Sequence, residues 1–481
     1  MKKRYVVALD FGASSGRAIL AGFDGEKITL TEVHRFVNEP IEKDGKLFWN
    51  FELLLKELET GLQKAYAIAP FESIGIDTWG VDYGLLDKNG TLVSPPRHYR
   101  DGRTNGLSER FDKRELFSRT GIELMDINTL FQLLSEKEEN GLKNCEKFLP
   151  MPDLFAYFLT GAVSAERSIA STTQMLSAKD GKWDEELIQK CGLPLSIFPK
   201  IVESGEEKGV LSKAVQEKLS LPGIKVTAVC GHDTQSAAFA APLESENGVF
   251  LSCGTWSLLG AELSAPVLTD EAAICGLSNE IGYGGKTTFL KNIIGLWLIQ
   301  ESRREYKRRG EELSFAEIEK LAREAGESRS FIDPSDPLFT PPGDIPSRIK
   351  EYCRKTSQYV PQTTGEIFCC IYESLALKYR AAIEELEHCT KKSFDCVHIV
   401  GGGAKDSLLC ELTASFCSRR VTAGPVEATA FGNAAVQFLS LGEFSSEKQA
   451  RECIFASEKN KEYFPTATDQ GKFELFKKLI K

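Results

Sequence analysis

The chain has 481 residues, 42% of them hydrophobic and 27% charged, with a formal net charge of −10. That length exceeds one ordinary hydrophobic core, so two large domains are expected. An acidic surface repels nucleic acid and anionic lipid, which excludes both as bulk partners, and the apolar stretch at 293–299 is far too short to span a membrane.

The basic start is followed by an apolar run at 5–9 that Asp10 ends. That is shorter than a secretory leader needs, so a cytoplasmic location is expected. Residues 5–9 read as a strand, 12–16 as a turn, and 17–23 and 28–36 as two further strands. The chain thus opens with a β-meander and not with a strand-then-helix nucleotide unit. Helical periodicity runs over 51–67, with Leu54, Leu55, Leu58, Leu62 and Ala65 on one face. A short strand at 73–77 is broken by Thr78, Trp79 and Gly80. From 101 to 222 the pattern is mostly helical with loops, notably at 130–138 and 153–159. A strand is expected at 225–230, a helix at 234–241, and a domain junction at the polar stretch 242–247.

The second half opens as the first did. A strand at 248–251 leads to a small polar turn at 252–255 and a second strand at 256–263. This is either an internal duplication or the recurrence of a common hairpin. Helices are expected at 314–325 and 364–387, a strand at 397–400 and a buried helix at 428–441, with a charged peripheral tail after 446. The expected domains are 1–243 and 244–445, followed by the segment 446–481.

The thirteen cysteines include no C-x-x-C pair and read as reduced, buried thiols. Zinc at Cys389, Cys396 and His398 would lack a fourth ligand.

Four short motifs could carry chemistry. The turn from Asp10 through Phe11, Gly12, Ala13, Ser14, Ser15 and Gly16 to Arg17 is either an ordinary hairpin or a concave row of N–H and hydroxyl donors for phosphate. In the second case Arg17 adds a planar cation and Asp10 is placed to hold hydrated magnesium. Next, Gly231, His232, Asp233 and Thr234 follow an apolar strand. Asp233 there is either a helix cap or the general base toward an attacking hydroxyl, and His232 is either a sugar ligand or a structural histidine. Third, Ser252 to Ser257 forms another small polar turn. Last, Gly401, Gly402 and Gly403 either make a tight turn or leave room for a flat ligand such as adenine.

Three lookalikes fail. The letters D-F-G at 10–12 lack a following H-R-D-x-x-x-x-N, and the loop before Lys286 and Thr287 has Glu280 where a phosphate-binding loop needs glycine. The turn at Gly12 is not G-x-G-x-x-G, and a strand follows it.

Taken together, two phosphate-type hairpins, a strand-end aspartate and a late triglycine resemble the FGGY family of sugar kinases. That family lies within the actin, hexokinase and Hsp70 superfamily. The likeness covers about residues 5–445. The motifs at 77–82 (DTWGVD), 99–104 (YRDGRT), 231–234 (GHDT), 291–297 (KNIIGLW) and 423–428 (AGPVEA) are similar to those of its rhamnulokinase branch. The resemblance implies an α/β fold of two ribonuclease H-like domains, each a mixed sheet flanked by helices, with the active-site cleft between them. It implies ATP-dependent phosphorylation of L-rhamnulose at the 1-hydroxyl with Mg2+, giving L-rhamnulose 1-phosphate and ADP. Another ketose, such as L-fuculose or xylulose, is the alternative. By the same resemblance, Ala13, Ser14, Ser15, Gly16, Arg17, Thr255, Gln300 and Gly402 would contact the nucleotide. Gly80, His232, Asp233, Thr234 and Asn292 would line the sugar site, with Asp233 as base and Asp10 near the metal. Family members often carry asparagine where this chain has Asp406, which puts the nucleotide preference in doubt.

Two other classes remain to be weighed. A non-catalytic ATP-binding relative of actin or Hsp70 would need no sugar-facing base, and a sugar-sensing regulator would need a DNA-binding module, of which the sequence shows none. Monomer and homodimer both fit these motifs.

Overall fold

The computed structural model describes residues 3–243 and 247–480, so half of the expected junction at 242–247 lies outside the described residues. The chain forms two compact units. The first comprises 1–242, 262–289 and 428–458; the second comprises 243–261, 290–427 and 459–481.

The first unit is built on a six-stranded mixed sheet. Its order is Glu207–Val210, Lys225–Thr227, Ser73–Thr78, Arg4–Phe11, Ser15–Phe23 and Ile28–Val37. The opening meander pairs antiparallel, while Arg4–Phe11 runs parallel to Ser73–Thr78 and that strand parallel to Lys225–Thr227. Successive side chains of a strand point to opposite faces. Val7, Leu9 and Phe11 accordingly join a core with Leu54, Leu58 and Leu62 of the helix Phe51–Ile68. Ala8 and Ile19 instead pack with Ala430 of the helix Ala428–Ser440.

Both helical layers approach closely because small residues face inward. A Cβ on Gly61 would lie 2.5 Å from Ala18 Cβ, and one on Gly432 would lie 1.9 Å from the Ser236 carbonyl of the helix Asp233–Ala240. The helix Phe51–Ile68 is amphipathic as its periodicity predicts, and the Asn50 side chain caps it through Leu53 N–H.

The region 101–222 is mostly helical with loops, as expected, and the helices Thr129–Glu138 and Met151–Thr160 cover the two stretches singled out. What the sequence did not show are its short strands, among them Lys147–Pro150, which pairs with Tyr83–Leu86, and Ser164–Glu166, which pairs with Lys200–Val202. Strands of three or four residues are too short to display a period of two. Similarly, the strand expected at 225–230 is only Lys225–Thr227.

In the second unit the sheet runs in the order Trp256–Leu263, Gly248–Cys253, Cys396–Val400, Arg420–Ala423 and Lys461–Tyr463. Gly248–Cys253 pairs antiparallel with the strand that follows it and parallel with Cys396–Val400. This repeats the arrangement around Arg4–Phe11, so the similar openings of the two halves have a common topology. The 27-residue helix Thr364–Thr390 is buried along most of its length and starts at a capping box made by Thr363 and Glu366.

The charged tail is not peripheral. Its helix Glu447–Ser457 belongs to the first unit, where Arg451 pairs with Glu262 and the Cys453 thiol donates to the Glu26 carbonyl. Phe473 and Phe476 are buried in the second unit with Leu377 and Phe416. A tail with few apolar residues can still be anchored when those few sit on one helical face. None of the thirteen cysteines, all of them among the described residues, forms a disulfide. The lookalike loop at Tyr283–Gly285 leads into the strand Thr287–Ile294, not into a helix.

Candidate active site

In the first unit the chain leaves Arg4–Phe11 and turns over Gly12 to Ser14. Gly12 N–H donates to the Ser15 carbonyl at 2.9 Å, and Asn38 braces the loop by bonding Ser14 O and Gly12 O, each at 3.0 Å. The N–H groups of Ala13 and Ser14 donate to no protein acceptor among the described residues. Gly16 lets the turn pass close to Phe36, since a Cβ there would lie 2.1 Å from the Phe36 ring and would displace it. Arg17 forms an ion pair with Asp10.

Parallel pairing sets Asp10 directly beside Asp77. Asp77 is fully buried; it accepts from Asn433 Nδ2 at 2.5 Å, while its Oδ1 has no hydrogen-bond partner. Burial, and then the charge of Asp10, hold the Asp77 carboxyl well above its usual range.

The next strand over ends at the third carboxylate. Thr78 N–H donates to Gly231 O at 2.9 Å, and Thr78 bridges His232. Asp233 then opens the helix Asp233–Ala240, whose N-cap is His232 and has no side-chain cap bond. The capping role considered for Asp233 is therefore not what the geometry shows. Asp233 Oδ1 accepts from Thr234 N at 2.6 Å and Thr234 Oγ1 at 3.3 Å. No protein donor among the described residues reaches Oδ2, and the side chain is 30% exposed. Burial raises the Asp233 pKa to about 6, against the lowering effect of His232. Such a group is ionised at neutral pH and has one oxygen open, as a general base requires.

Gly80 lies against this residue set. A Cβ on it would stand 3.3 Å from His232 Nε2 and 3.4 Å from Thr172 Oγ1. The next residue, Val81, holds a φ of 66°, a strained position for a β-branched side chain. Its N–H donates to Thr172 Oγ1 at 3.2 Å, and its carbonyl accepts from Thr129 Oγ1 at 2.6 Å and Gln132 Nε2 at 3.3 Å. These bonds fix the segment at the strand end.

In the second unit the turn after Gly248–Cys253 is equally well held. Thr255 O accepts from the N–H groups of Gly295 and Trp297, both at 3.1 Å, and Gly254 O accepts from Leu296 N at 3.0 Å. Thr255 Oγ1 donates to Gln300 Oε1 at 3.3 Å, which brings two of the expected nucleotide residues together. The triglycine packs on the same loop. Gly401 has a φ of 81°, and a Cβ on Gly403 would lie 2.3 Å from Cys253 Sγ. Gly402 is exposed, with its nearest neighbour 3.9 Å from where a Cβ would sit. Asn292 is half-buried on the strand Thr287–Ile294 of this unit. Asp406 caps the helix Ser407–Cys417 through Leu409 N and accepts the Tyr372 hydroxyl at 2.6 Å.

Family models match both halves of the chain. That of the N-terminal domain of the FGGY family of carbohydrate kinases matches residues 5–240, and that of the C-terminal domain matches 249–441. The chain belongs to the FGGY family of carbohydrate kinases. It is thus an enzyme with the two-domain FGGY kinase fold, mixed sheets flanked by helices, and kinases of this family use ATP. It is 40% identical over 470 residues to a rhamnulokinase from Bacteroides thetaiotaomicron, covering 96% of each chain. A rhamnulokinase from Halalkalibacterium halodurans is 39% identical, with 95% of this chain and 98% of that protein covered. Among solved structures, gluconate kinase from Lactobacillus acidophilus superposes with a TM-score of 0.80 at 14% identity, covering 99% of this chain and 96% of that one. Xylulose kinase from Rhodospirillum rubrum gives 0.78 at 18%, with the same coverages. No described helix is long and apolar enough to cross a membrane.

Three residues of the candidate site escaped the sequence. Asp77 stood in a noted motif without a role; its register beside Asp10 is what brings it into the candidate site. Asn433 is, with Gln437, a buried polar residue inside a largely apolar helix, a pattern that signals a buried partner. Glu280 accepts from His232 Nδ1 at 2.8 Å and Gln235 Nε2 at 2.7 Å, and nothing in its local sequence announces that.

Proposed function

We propose that this kinase transfers the γ-phosphoryl group of ATP to the 1-hydroxyl of L-rhamnulose, giving L-rhamnulose 1-phosphate and ADP. The substrate rests on the relatives named rhamnulokinase, which match this chain end to end at 38–40% identity. The observation that carries the chemistry is Asp233, a strand-end carboxylate with Oδ2 open and its pKa raised to about 6.

Phosphoryl transfer passes through a loose transition state, so the protein mainly positions groups and offsets charge. Asp233 Oδ2 accepts the proton of the sugar hydroxyl as that oxygen bonds to phosphorus and the bond to the β-phosphate oxygen breaks. The proton then passes to solvent when product leaves. His232, Gly80, Thr234 and Asn292 are the proposed sugar ligands, and Thr234 also fixes Asp233 Oδ1. The Ala13 and Ser14 N–H groups and the Ser14, Ser15 and Arg17 side chains are proposed for the phosphates, with Gly16 allowing the turn. Thr255, Gln300 and Gly402 are proposed for the rest of the nucleotide.

Magnesium asks for one or two carboxylates and completes its shell with phosphate oxygens and water. Asp10, buried at the end of the phosphate-type loop, fits that demand, and no denser cluster of ligands occurs among the described residues. Bound there with ATP, the ion would offset charge on the phosphate oxygens. A ketose panel tests the substrate: L-rhamnulose should rank above L-fuculose and xylulose by kcat/KM in a coupled ADP assay. A different ketose ranking first would replace L-rhamnulose, and ADP release indifferent to every sugar would sink the proposal.

A further inference from the structure

His232 sits between two carboxylates. Its Nδ1 bonds Glu280 Oε2 at 2.8 Å, and its Nε2 lies 3.5 Å from Asp233 Oδ1. Glu280 projects from the strand Leu277–Ile281 and is buried. The same Oε2 accepts from Gln235 Nε2 at 2.7 Å, and Gln235 Oε1 in turn accepts the Thr288 hydroxyl at 2.6 Å. The amide of Gln235 is thereby fixed with its N–H toward Glu280, but it brings no charge. A buried carboxylate needs a cation as well as hydrogen bonds.

We propose that Glu280 is a positioning residue for the catalytic carboxylate, holding His232 as an imidazolium whose Nε2–H faces Asp233. This rests on the proposed role of Asp233 as base. Several charges meet here. His232 faces Glu280, Asp233 and, more distantly, Glu166; Asp233 faces His232 and Asp10, and adds to the field at Asp77. Burial opposes the charged form of both partners of the pair. Even so, the charge and hydrogen bond of Glu280 raise His232 to about 9, and His232 in turn lowers Glu280.

Two consequences follow from an imidazolium at this place. Its positive charge opposes burial and the repulsion of Asp10, so Asp233 stays ionised at neutral pH. With both ring nitrogens protonated it also has no lone pair, and it cannot compete with Asp233 for the sugar's proton.

Glu280→Gln in the full chain tests this, because glutamine keeps the shape and an acceptor for Nδ1–H but removes the charge. Histidine-labelled NMR, with the ring assigned by loss of its signal in His232→Asn, reports the titration directly. In the wild type His232 should remain doubly protonated at neutral pH. In Glu280→Gln it should titrate lower by about one unit or more, and the acid limb of kcat/KM for L-rhamnulose should move up by about one unit or more. The KM for ATP should hold, and Glu280→Asp should restore the acid limb.

A folded Glu280→Gln protein whose ring titration and acid limb match the wild type overturns the inference. Should that variant not fold, the wild type decides alone, since a neutral His232 ring at about pH 7 is incompatible with the proposal. A wild type with a charged ring but no activity on L-rhamnulose would instead count against the substrate assignment.

Discussion

The two strand–turn–strand openings share a topology and differ in charge. In the first unit the central strand ends in Asp10, opposite Arg17, and its parallel neighbour brings Asp77 alongside. In the second, the matching strand ends in Ser252 and Cys253, and its parallel neighbour leads into three glycines. The fold thus supplies the same device twice, a braced turn at the end of a central strand, and the residue at the strand end decides its chemistry. On the proposed reading the first unit manages protons and metal, and the second offers a neutral, hydrogen-bonding cradle. Substitutions in each unit should therefore fail in different ways.

The largest expected effect is at Asp233. Asp233→Asn keeps the size and the bond from Thr234 but cannot take a proton. The turnover number should fall by on the order of 10²–10⁴, with ATP binding by calorimetry unchanged. A loss below about tenfold would remove the base and, with it, the division of labour between the units.

A smaller effect comes from pH. The Asp233 pKa is raised to about 6 by burial, and the base must be ionised to act. Its ionised fraction is nearly complete at neutral pH and is lost as pH falls through about 6. A plot of log kcat/KM should be level near neutrality and drop about tenfold per unit on the acid side. An acid limb near pH 4, where a carboxyl in water titrates, would mean that burial does not govern this group.

Much of this contrast was legible in the sequence. The hairpins, the strand-end aspartate and the triglycine are local patterns, and local patterns survive folding: the helix Phe51–Ile68 and the meander fall within two residues of their expected bounds. What could not be read depends on contacts distant in sequence. Asn433 reaches Asp77 across 356 residues, and Glu280 meets His232 across 48. The interleaving of the units has the same origin: the helix Ala428–Ser440 comes in sequence between two strands of the second sheet, Arg420–Ala423 and Lys461–Tyr463, but packs in the first unit through Gly432 and Ala430. Small residues declare that a helix is buried, and not against what.

Two neighbouring glycines sharpen the account of the second unit. Gly403→Ala would force a methyl group within 2.3 Å of Cys253 Sγ, directly under the Thr255 turn. Overpacking of that kind costs about 1–3 kcal/mol, so Tm should fall and the KM for ATP should rise, with the turnover number less affected. Gly402→Ala meets nothing closer than 3.9 Å and should leave Tm unchanged. Equal losses of Tm in the two variants would show that the loop does not depend on this contact.

The smallest expected effect is at Asp406, the departure from the family resemblance noted in the sequence. A carboxylate near an adenine pocket would matter if its charge were free to act. Here one oxygen caps a helix through Leu409 N and the other accepts from Tyr372. Burial raises its pKa, although the Tyr372 hydrogen bond works against that rise. Asparagine is as good an N-cap as aspartate, and its carbonyl oxygen can keep the bond at the cap. Asp406→Asn should therefore change Tm little and leave the ratio of kcat/KM for ATP over GTP within about threefold, a difference of under 1 kcal/mol. A larger swing in that ratio would show that this charge does reach the nucleotide, and that the cradle proposed in the second unit is not neutral.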